Sequence, residues 1–216
     1  MTTATSQPHR KPFVGELLGR SDYAIIGEIV EPGTKVLDLG CGEGELLEWL
    51  AANKGVDARG VEISGARVQR AIARGVSVYQ GDIDQGLADY PALAFDYVIL
   101  SQTLQETRRP LEVLREMLRV GRRAIVAFPN FGHWRVRLSM LTSGRAPKTR
   151  LFPYEWYDSP NIHFLTVNDF EQLARQEGLV LERRLFISRH RAVEWRPNLR
   201  AEVAVYLVRK QGHDII

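Results

Sequence analysis

Short apolar runs alternate with amphipathic segments along most of this chain, and the alternation predicts its architecture. The early apolar runs have the length of buried strands, and segments with helical spacing of their apolar residues follow most of them. The predicted strands are residues 35–39, 57–62, 76–80, 95–101 and 123–128. The predicted helices are residues 21–30, 45–53, 64–74, 110–119, 132–142 and 166–177. Strands alternating with helices favour a doubly wound, Rossmann-like α/β fold with a parallel sheet.

The end of the chain departs from this alternation. Two further strand signals, at 180–189 and 202–210, are separated by about a dozen residues without a helical period. Such a connection joins antiparallel strands, because a parallel crossover usually contains a helix. The sequence therefore predicts a seven-stranded, mostly parallel sheet with a reversed last strand.

Polar residues also mark two of the predicted helix starts. Ser21 and Asp22 provide N-cap chemistry for the first helix, since their side-chain oxygens can accept from free N–H groups. Thr166 and Asp169 resemble a capping box, with aspartate in place of the usual glutamate or glutamine.

The glycine-rich run of residues 38–44 (DLGCGEG) joins the first predicted strand to its helix. A strand, a glycine-rich turn and a helix form the nucleotide-binding unit of doubly wound folds. Glycines permit the tight turn and let a ligand approach the main chain, because no Cβ intervenes. The spacing differs from the G-x-G-x-x-G pattern that places a pyrophosphate at a helix N-terminus. Asp38, two residues before the first glycine, would repel a pyrophosphate but would suit an ammonium or sulfonium group.

Two further acids follow at the ends of the next predicted strands. Glu62 ends the second strand and lies 62 − 40 = 22 residues beyond Gly40. This spacing is close to the roughly 20 residues expected before a carboxylate that binds ribose hydroxyls. Asp82 follows the third strand. Alone, each acid is equally well explained as a solvated residue at a strand end, but the upstream glycine loop favours a binding role.

The run at 38–44 resembles motif I of class I S-adenosylmethionine-dependent methyltransferases. The resemblance implies the seven-stranded class I methyltransferase fold, with S-adenosylmethionine or S-adenosylhomocysteine as the cofactor. It implies that Asp38 supports the loop and the methionine part of the cofactor, that Glu62 binds the ribose with both oxygens, and that Asp82 lies near the adenine. The implied cofactor-binding residues are Asp38, Gly40, Cys41, Gly42, Gly44, Glu62, Ile63, Asp82, Ile83 and Ser101.

Length and hydropathy bound the class of protein. With 216 residues and 44% apolar content, the chain can form one compact domain with a sizeable core. We expect a flexible segment at 1–20 and a single domain at 21–216. No apolar run approaches the roughly 18 residues of a membrane span. The N-terminus lacks an apolar signal-peptide core, so we expect a cytoplasmic protein that does not bind membranes.

Cysteine and charge content exclude further classes. The single cysteine, Cys41, rules out an internal disulfide and a cysteine-cluster metal site, and no metal is expected. Its place in the glycine loop favours a small packing residue over a nucleophile. The net charge is only +3, and the arginines occur in pairs rather than long basic blocks. This distribution favours a solvated surface over nucleic-acid binding.

Residues 129–165, called the aromatic segment below, do not fit the simple alternation. The segment is long for a connector, and its many aromatic residues argue against disorder. Trp134, Leu138 and Leu141 recur at helical spacing. The segment follows the fifth strand, at the edge where such folds bind ligands. Four interpretations of the segment are open: it covers the cofactor, shapes a substrate pocket, docks a partner or forms a small separate core.

The sequence leaves the catalytic residues unknown. Methyl transfer requires alignment and, for a weak nucleophile, a general base within hydrogen-bond reach. His133, His163 and Tyr154 are candidates, but none lies in a spacing that compels the assignment. Methyltransferases acting on nucleobase amines or glutamine usually carry N/D-P-P-Y/F after the fourth strand. Residues 101–104 read SQTL there instead.

A closer resemblance is carried by two later segments. Residues 128–134 (FPNFGHW) and 151–163 (LFPYEWYDSPNIH), read with the earlier motifs, resemble the MetW family of methionine biosynthesis proteins. The resemblance spans roughly residues 20 to 190. It implies a bacterial, cytoplasmic protein whose partner is homoserine O-acyltransferase, and it provides no established methyl acceptor.

Two functions follow from these resemblances. The first is a protein of methionine biosynthesis that binds S-adenosylmethionine or S-adenosylhomocysteine and supports or regulates homoserine O-acyltransferase. The second is a methyltransferase that acts on an unidentified small molecule. The glycine spacing disfavours a third, an NAD-dependent oxidoreductase. Whether the protein is an enzyme, and whether it forms a homodimer, is left open by the sequence.

Overall fold

The computed structural model describes residues 20–212, so the segment predicted to be flexible lies outside the described residues except for Arg20. The helices are α1 (Ser21–Ile29), α2 (Glu45–Lys54), α3 (Gly65–Ala73), α4 (Pro110–Val120), α5 (Trp134–Ser143), α6 (Val167–Gln176) and α7 (Pro197–Arg200). The strands are β1 (Lys35–Leu39), β2 (Asp57–Glu62), β3 (Ser77–Gln80), β4 (Phe95–Ser101), β5 (Gly121–Pro129), β6 (Leu179–Ser188), β7 (Arg191–Ala192) and β8 (Val203–Lys210). Short 3₁₀ helices follow β3 and β4, at Ile83–Gln85 and Leu104–Glu106.

The strands form one mixed sheet in the order β3-β2-β1-β4-β5-β8-β6-β7. β1 pairs in parallel with β2 on one side and with β4 on the other, and β4 pairs in parallel with β5. β8 runs antiparallel to both of its neighbours, β5 and β6. The predicted doubly wound sheet with a reversed last strand is therefore confirmed.

The central strands are buried on both faces, as is usual where helices cover a parallel sheet. Successive side chains of a strand point to opposite faces. Val36 thus belongs to the core that includes Leu46 of α2, whereas its neighbour Leu37 belongs to the core that includes Leu114 of α4. Burial on both faces explains the nearly continuous apolar runs from which these strands were predicted.

The carboxyl ends of the parallel strands lie along one edge of the sheet. The order in which strands are added to the sheet reverses between β1 and β4, and doubly wound folds bind ligands at such a point. The glycine loop and the ends of β2, β3 and β4 all reach this edge from neighbouring strands. β8 begins and β6 ends at the same edge, since Val203 pairs with both Pro129 and Ile187.

The two-residue strand β7 was not predicted, and it makes eight strands instead of seven. Arg189 and His190 form the turn between β6 and β7, with φ of +48° and +64°. Two-residue hairpin turns with positive φ usually carry glycine, asparagine or aspartate. An Arg-His turn therefore gave no signal in the sequence.

One of the two predicted helix starts is confirmed and the other is wrong. Thr166 caps α6, and its capping box with Asp169 is complete. At α1 the N-cap position is Arg20, which makes no side-chain cap hydrogen bond. Asp22 lies in the first turn and is buried. Its carboxylate accepts from the guanidinium of Arg20 and from the hydroxyl of Ser101 rather than from free N–H groups of the helix, and no local pattern in the sequence indicates the bond from Ser101.

The aromatic segment is anchored at its start by Asn130, whose side chain is fully buried. The Asn130 amide donates to the carbonyls of Asn198 and Ala201, at 3.0 and 2.9 Å. Its Oδ1 accepts from the N–H groups of Gly132 and Val167, at 3.0 and 3.3 Å. One side chain thus joins the segment to α6 and α7. Beyond α5, residues 144–166 follow an irregular path to α6.

Candidate functional site

The glycine loop after β1 forms a cradle that a side chain would fill. Gly40 has φ of +73°, and a Cβ placed there would lie 2.8 Å from Oγ1 of Thr103. The N–H groups of Gly40 and Cys41 both donate to the carbonyl of Val61, at 2.8 and 3.1 Å, which fixes the loop against β2. Glycine is therefore required at position 40 both by its backbone angle and by the space available.

Glu62 is held in one orientation by two backbone N–H groups. Its Oε2 accepts from Gly42 at 3.0 Å and its Oε1 accepts from Ser64 at 2.9 Å. The residue is only 3% exposed. Each carboxylate oxygen retains a further lone pair, so both can accept hydrogen bonds from a ligand. The glycine loop and the start of α3 thus position Glu62 for binding.

A cavity of about 180 Å³ opens beside Gly40 and Glu62. The predicted cofactor-binding residues that line it are Gly40, Glu62, Ile63, Asp82 and Ile83. The remaining predicted residues, Asp38, Cys41, Gly42, Gly44 and Ser101, do not line this cavity. Ile63 is 64% exposed, although it follows a buried strand directly. An exposed aliphatic side chain here is available to pack against a flat ring.

Among the lining residues that were not predicted as site residues are Arg67, Thr103 and Glu106. Burial raises the pKa of Glu106; Arg67 opposes this effect and Glu62 adds to it. Four acidic residues line the cavity, namely Glu62, Asp82, Asp84 and Glu106, against the one arginine. This excess of acidic groups disfavours a phosphate-bearing ligand. Thr103 and Glu106 follow β4, where the sequence indicated no binding role for either residue, and only the fold brings them beside Glu62.

Asp38 lies deeper, at the end of β1, and is 3% exposed. Burial raises its pKa to about 8; Arg20 opposes the shift, while Asp22 and Glu62 add to it. A cationic ligand nearby would favour the ionised form of such a carboxyl group. This environment agrees with a position beside the ammonium or sulfonium of the cofactor.

A polar network covers this side of the site. Nε and Nη2 of the Arg20 guanidinium each donate a hydrogen bond to the carboxylate of Asp22, at 3.0 and 2.7 Å. The hydroxyl of Ser101 donates to Asp22 at 2.5 Å and accepts from Arg20 at 3.3 Å. The guanidinium also lies 4.2 Å from the ring centroid of Tyr23. Ser101, which was predicted to touch the cofactor, bonds Asp22 of α1, and no local pattern in the sequence indicates this long-range contact.

Cys41 fills the space between the glycine loop and β2. It is 2% exposed, and a Cβ on Gly60 would lie within van der Waals overlap of its sulfur. Burial raises the pKa of the thiol, and the charges of Asp38 and Glu62 raise it further. A thiol in this environment is unreactive at neutral pH.

None of the three candidate bases lines the cavity beside Glu62. His133 is buried at the N-cap of α5, where its Nδ1 accepts from the N–H of Arg135 at 3.3 Å. Burial lowers its pKa, and Glu202 opposes that effect. Tyr154 is 49% exposed. His133 therefore has a structural contact, and Tyr154 has no described contact with the site.

Buried polar atoms without hydrogen-bond partners lie on segments that meet after β4. They include Nε2 of Gln102, Oε1 of Gln105 and Nε2 of His163. The carbonyl of Gln105 accepts from the N–H of His163 at 3.0 Å, which joins the aromatic segment to this turn. Gln102 also has a positive φ of +57°. Buried unpaired polar groups are uncommon and need an explanation, such as a bound molecule.

The described residues contain neither a metal cluster nor a membrane-spanning helix. Among residues 20–212, no group of three or more histidine, cysteine, aspartate or glutamate side chains is arranged to hold a metal ion. In the same part of the chain, no helix has the length and apolar character needed to cross a membrane.

Solved structures share this architecture. A S-adenosylmethionine-dependent methyltransferase from Thermotoga maritima, described as a possible histamine N-methyltransferase, aligns with a TM-score of 0.66 and 17% identity. That alignment covers 92% of this chain and 91% of the other. Magnesium protoporphyrin IX methyltransferase from Synechocystis, with bound S-adenosylhomocysteine, aligns with a TM-score of 0.61 and 16% identity, covering 91% and 83% of the two chains. The protein therefore has the class I methyltransferase fold.

Sequence comparison identifies the family within this class. The family model described as "Methionine biosynthesis protein MetW" matches residues 20–208, and the chain belongs to this family. It is 36% identical to the bifunctional methionine biosynthesis protein MetXA/MetW of Rhodopirellula baltica. That match covers 88% of this chain and 33% of the relative, so the chain spans about one third of the relative's length. The predicted association with the MetW family and methionine biosynthesis is confirmed.

Proposed function

We propose that this protein binds S-adenosylmethionine or S-adenosylhomocysteine, and that it associates with homoserine O-acyltransferase and supports or regulates that enzyme. The observation that carries the cofactor proposal is the cradle at Gly40 beside the oriented carboxylate of Glu62. Ile63, Asp82 and Ile83 would hold the adenine, Glu62 the ribose, and Asp38 the methionine end. When bound, S-adenosylmethionine supplies an electrophilic methyl group.

Calorimetry with S-adenosylmethionine, S-adenosylhomocysteine and NADH tests the cofactor proposal. Glu62→Ala should weaken binding tenfold to a hundredfold, because an accepting carboxylate contributes on the order of 1.5–3 kcal/mol. Asp57→Ala is the matched control, since Asp57 begins the same strand and is exposed at its far end. Unchanged affinity in Glu62→Ala would remove Glu62 from the site. Tight binding of NADH by the wild type would contradict the cofactor assignment.

The partner proposal is supported by the composition of the R. baltica relative, in which MetXA and MetW occur in one chain. We take the MetXA part to be the homoserine acyltransferase. Joining two proteins covalently keeps them at a high effective concentration, which favours pairs that act together. In this protein a noncovalent complex would serve the same purpose. A cytoplasmic location, as predicted from the sequence, would place both proteins in one compartment.

The aromatic segment offers a surface for this partner. Trp134, Leu138 and Leu141 on α5 are 44%, 48% and 84% exposed, and Trp156 and Tyr157 are 78% and 72% exposed. The apolar residues that predicted α5 thus face solvent, while Val136 is the buried residue of the helix. Aromatic residues are enriched at protein interfaces, where a few dominate the binding energy.

Co-purification and an acylation assay test the partner proposal. The two proteins should associate, and the complex should acylate homoserine faster than the acyltransferase alone. Trp156→Ala should weaken association by roughly 2 kcal/mol or more while cofactor affinity is kept. Tyr157→Ala and Tyr79→Ala form a matched pair, because Tyr79 is 60% exposed on the distant strand β3. No association and no change in acylation rate would contradict the proposal.

Cofactor levels should be varied in the same assay. A ligand that binds the free and docked forms with different affinity must shift docking by the same factor. A change in acylation rate with S-adenosylmethionine or S-adenosylhomocysteine would therefore establish regulation. Light scattering of this protein without the acyltransferase tests whether it is a homodimer.

A second candidate function is methyl transfer to a small molecule. It is favoured by the unpaired polar atoms of Gln102, Gln105 and His163 after β4. Formation of S-adenosylhomocysteine from S-adenosylmethionine in the presence of metabolite fractions measures this activity. Gln105→Leu should then lower turnover without changing cofactor affinity. Absence of turnover with every fraction would favour the partner role.

A further inference from the structure

A second cavity, of about 600 Å³, lies at the same edge of the sheet as the glycine loop but beyond β5. Arg135 begins α5, Arg189 and Arg191 flank the turn into β7, and Arg200 ends α7. These four arginines line one cavity, although they come from three separate parts of the chain. We call it the arginine pocket. Its volume is within the roughly 300–1,000 Å³ typical of small-molecule sites.

None of the four arginines forms an ion pair with a described carboxylate. Arginines elsewhere, such as Arg115 with Glu177 and Arg119 with Glu116, pair at 2.8 Å. Uncompensated guanidinium groups repel one another when they share a cavity. All four are exposed to solvent, which screens this repulsion and leaves their charges available to an anionic ligand.

The one acid in the lining, Glu202, does not neutralise these arginines. Its Oε2 pairs with Arg150 at 3.0 Å and accepts from the backbone N–H of Arg189 at 2.9 Å. Burial opposes its ionisation, but the N–H of Arg189 and the guanidinium of Arg150 hold its pKa below the usual value. The charge of Glu202 is thus balanced by Arg150, which does not line the pocket. The four lining arginines keep their positive charge.

The turn that carries Arg189 and Arg191 is strained and held in place. Arg189 and His190 both have positive φ, which is uncommon for residues with side chains. The turn is stabilised by the bond from Arg189 to Glu202 and by pairing of β7 with β6. Such strain persists only where the surroundings enforce it, and it concentrates at binding sites.

One guanidinium group can bind two phosphate oxygens at once, through two parallel N–H donors. The four positive charges exceed the single negative charge of a carboxylate, but they match the negative charge of two or more adjacent phosphates. Trp134 adds an aromatic wall; the residue is 44% exposed, and the guanidinium of Arg135 lies 5.2 Å from its ring centroid. We propose that the arginine pocket binds a ligand with two or more adjacent phosphate groups, and that a nucleoside diphosphate stacks its base on Trp134. This site is distinct from the acidic cavity beside Glu62.

Calorimetry with ADP and with inorganic pyrophosphate tests this site on the full chain. Both should bind, more weakly at higher ionic strength, and S-adenosylhomocysteine should not displace either. The double variant Arg189→Gln/Arg191→Gln should weaken both ligands at least tenfold. Arg59→Gln/Arg109→Gln removes the same net charge from exposed surface pairs and should change affinity less than twofold. Arg135→Gln, outside the turn, gives a second variant whose folding does not depend on β7.

The outcomes separate the parts of the proposal. Trp134→Ala should weaken ADP and leave pyrophosphate unchanged; equal effects on both would overturn stacking of the base. Absence of binding by either phosphate ligand to the folded wild type would overturn the site. Equal losses in the double variant and its charge-matched control would show nonspecific attraction. Displacement of ADP by S-adenosylhomocysteine would place the binding at the glycine loop instead.

Discussion

The cavity beside Glu62 and the aromatic segment lie at the same edge of the sheet, but they expose different groups. Around the cavity, main-chain N–H groups orient the Glu62 carboxylate, and Asp38 is buried. On the aromatic segment, large apolar side chains such as Trp156 and Leu141 face solvent. The first region suits a small polar ligand, and the second suits a protein surface.

The aromatic segment itself divides into an inner and an outer part. Phe131 packs against Phe152 and Phe164, with ring centroids 5.2 and 4.6 Å apart, and Asn130 bonds the segment to the domain. These three rings form a small cluster in which Phe152 is buried, whereas Phe164 is 56% exposed at its edge. The exposed residues of α5 and Trp156 do not belong to it. A single aromatic-rich sequence thus contains both an anchor and a surface.

The largest expected effect on stability comes from Asn130→Ala. The change leaves the N–H groups of Gly132 and Val167 and the carbonyl of Ala201 without their partner. Each buried unpaired group costs about 1–3 kcal/mol, so we expect a loss of about 3 kcal/mol or more. Chemical denaturation measures it. Asn53→Ala, which removes an exposed helical asparagine, should stay within about 0.5 kcal/mol. A small loss at Asn130 would mean that the inner part is not an anchor.

Gly40→Ala should come next, with about 2 kcal/mol of lost stability and at least tenfold weaker cofactor binding. A positive φ costs a residue with a Cβ about 1–2 kcal/mol, and the new Cβ would meet Thr103 at 2.8 Å. Gly33→Ala introduces the same backbone strain, at φ of +72°, but has open space around the new Cβ. This control should therefore lose stability and keep its cofactor affinity. Thr103→Ala should partly restore the Gly40 variant. Equal behaviour of the two glycine variants would contradict the cradle.

Asp38→Asn should stabilise the protein without cofactor by about 1–2 kcal/mol at pH 8. The folded pKa of about 8 lies above the unfolded value of roughly 3.9. The folded state therefore binds more protons between these values, and its stability falls as pH rises from about 4 to 8. The asparagine variant should lack this decline, and it should bind the cofactor more weakly. Thermal melts at pH 5 and pH 8 make the comparison; a less stable variant at pH 8 would contradict it.

The smallest effect is expected at Trp156, whose side chain is 78% exposed. Trp156→Ala should change the free energy of unfolding by about 0.5 kcal/mol or less, as surface substitutions do. Phe152→Ala, at a residue 6% exposed, should lose roughly 3 kcal/mol. Urea denaturation of both variants measures the contrast. Comparable losses would show that the outer part of the segment is core.

The candidate site was predictable where its residues follow strands directly. Gly40, Glu62 and Asp82, which line one cavity, were assigned because each comes at a strand end, and parallel strands bring those ends together. Ser101 was assigned by the same logic, but its hydroxyl bonds Asp22, which lies 79 residues earlier. The apolar spacing of α5 predicted a helix correctly. It did not indicate whether that face would be covered, because periodicity is the same for a core and for an interface.

The sequence by itself determined the elements, their order and the glycine loop, because apolar period, glycine spacing and capping residues are local properties. The tertiary structure decided which distant groups meet. It brought Arg20 and Asp22 to Ser101, placed Arg189 and Arg191 in the lining of one cavity with Arg135 and Arg200, and left Trp156 exposed. These arrangements depend on contacts between residues far apart in the chain, and no local pattern records such contacts.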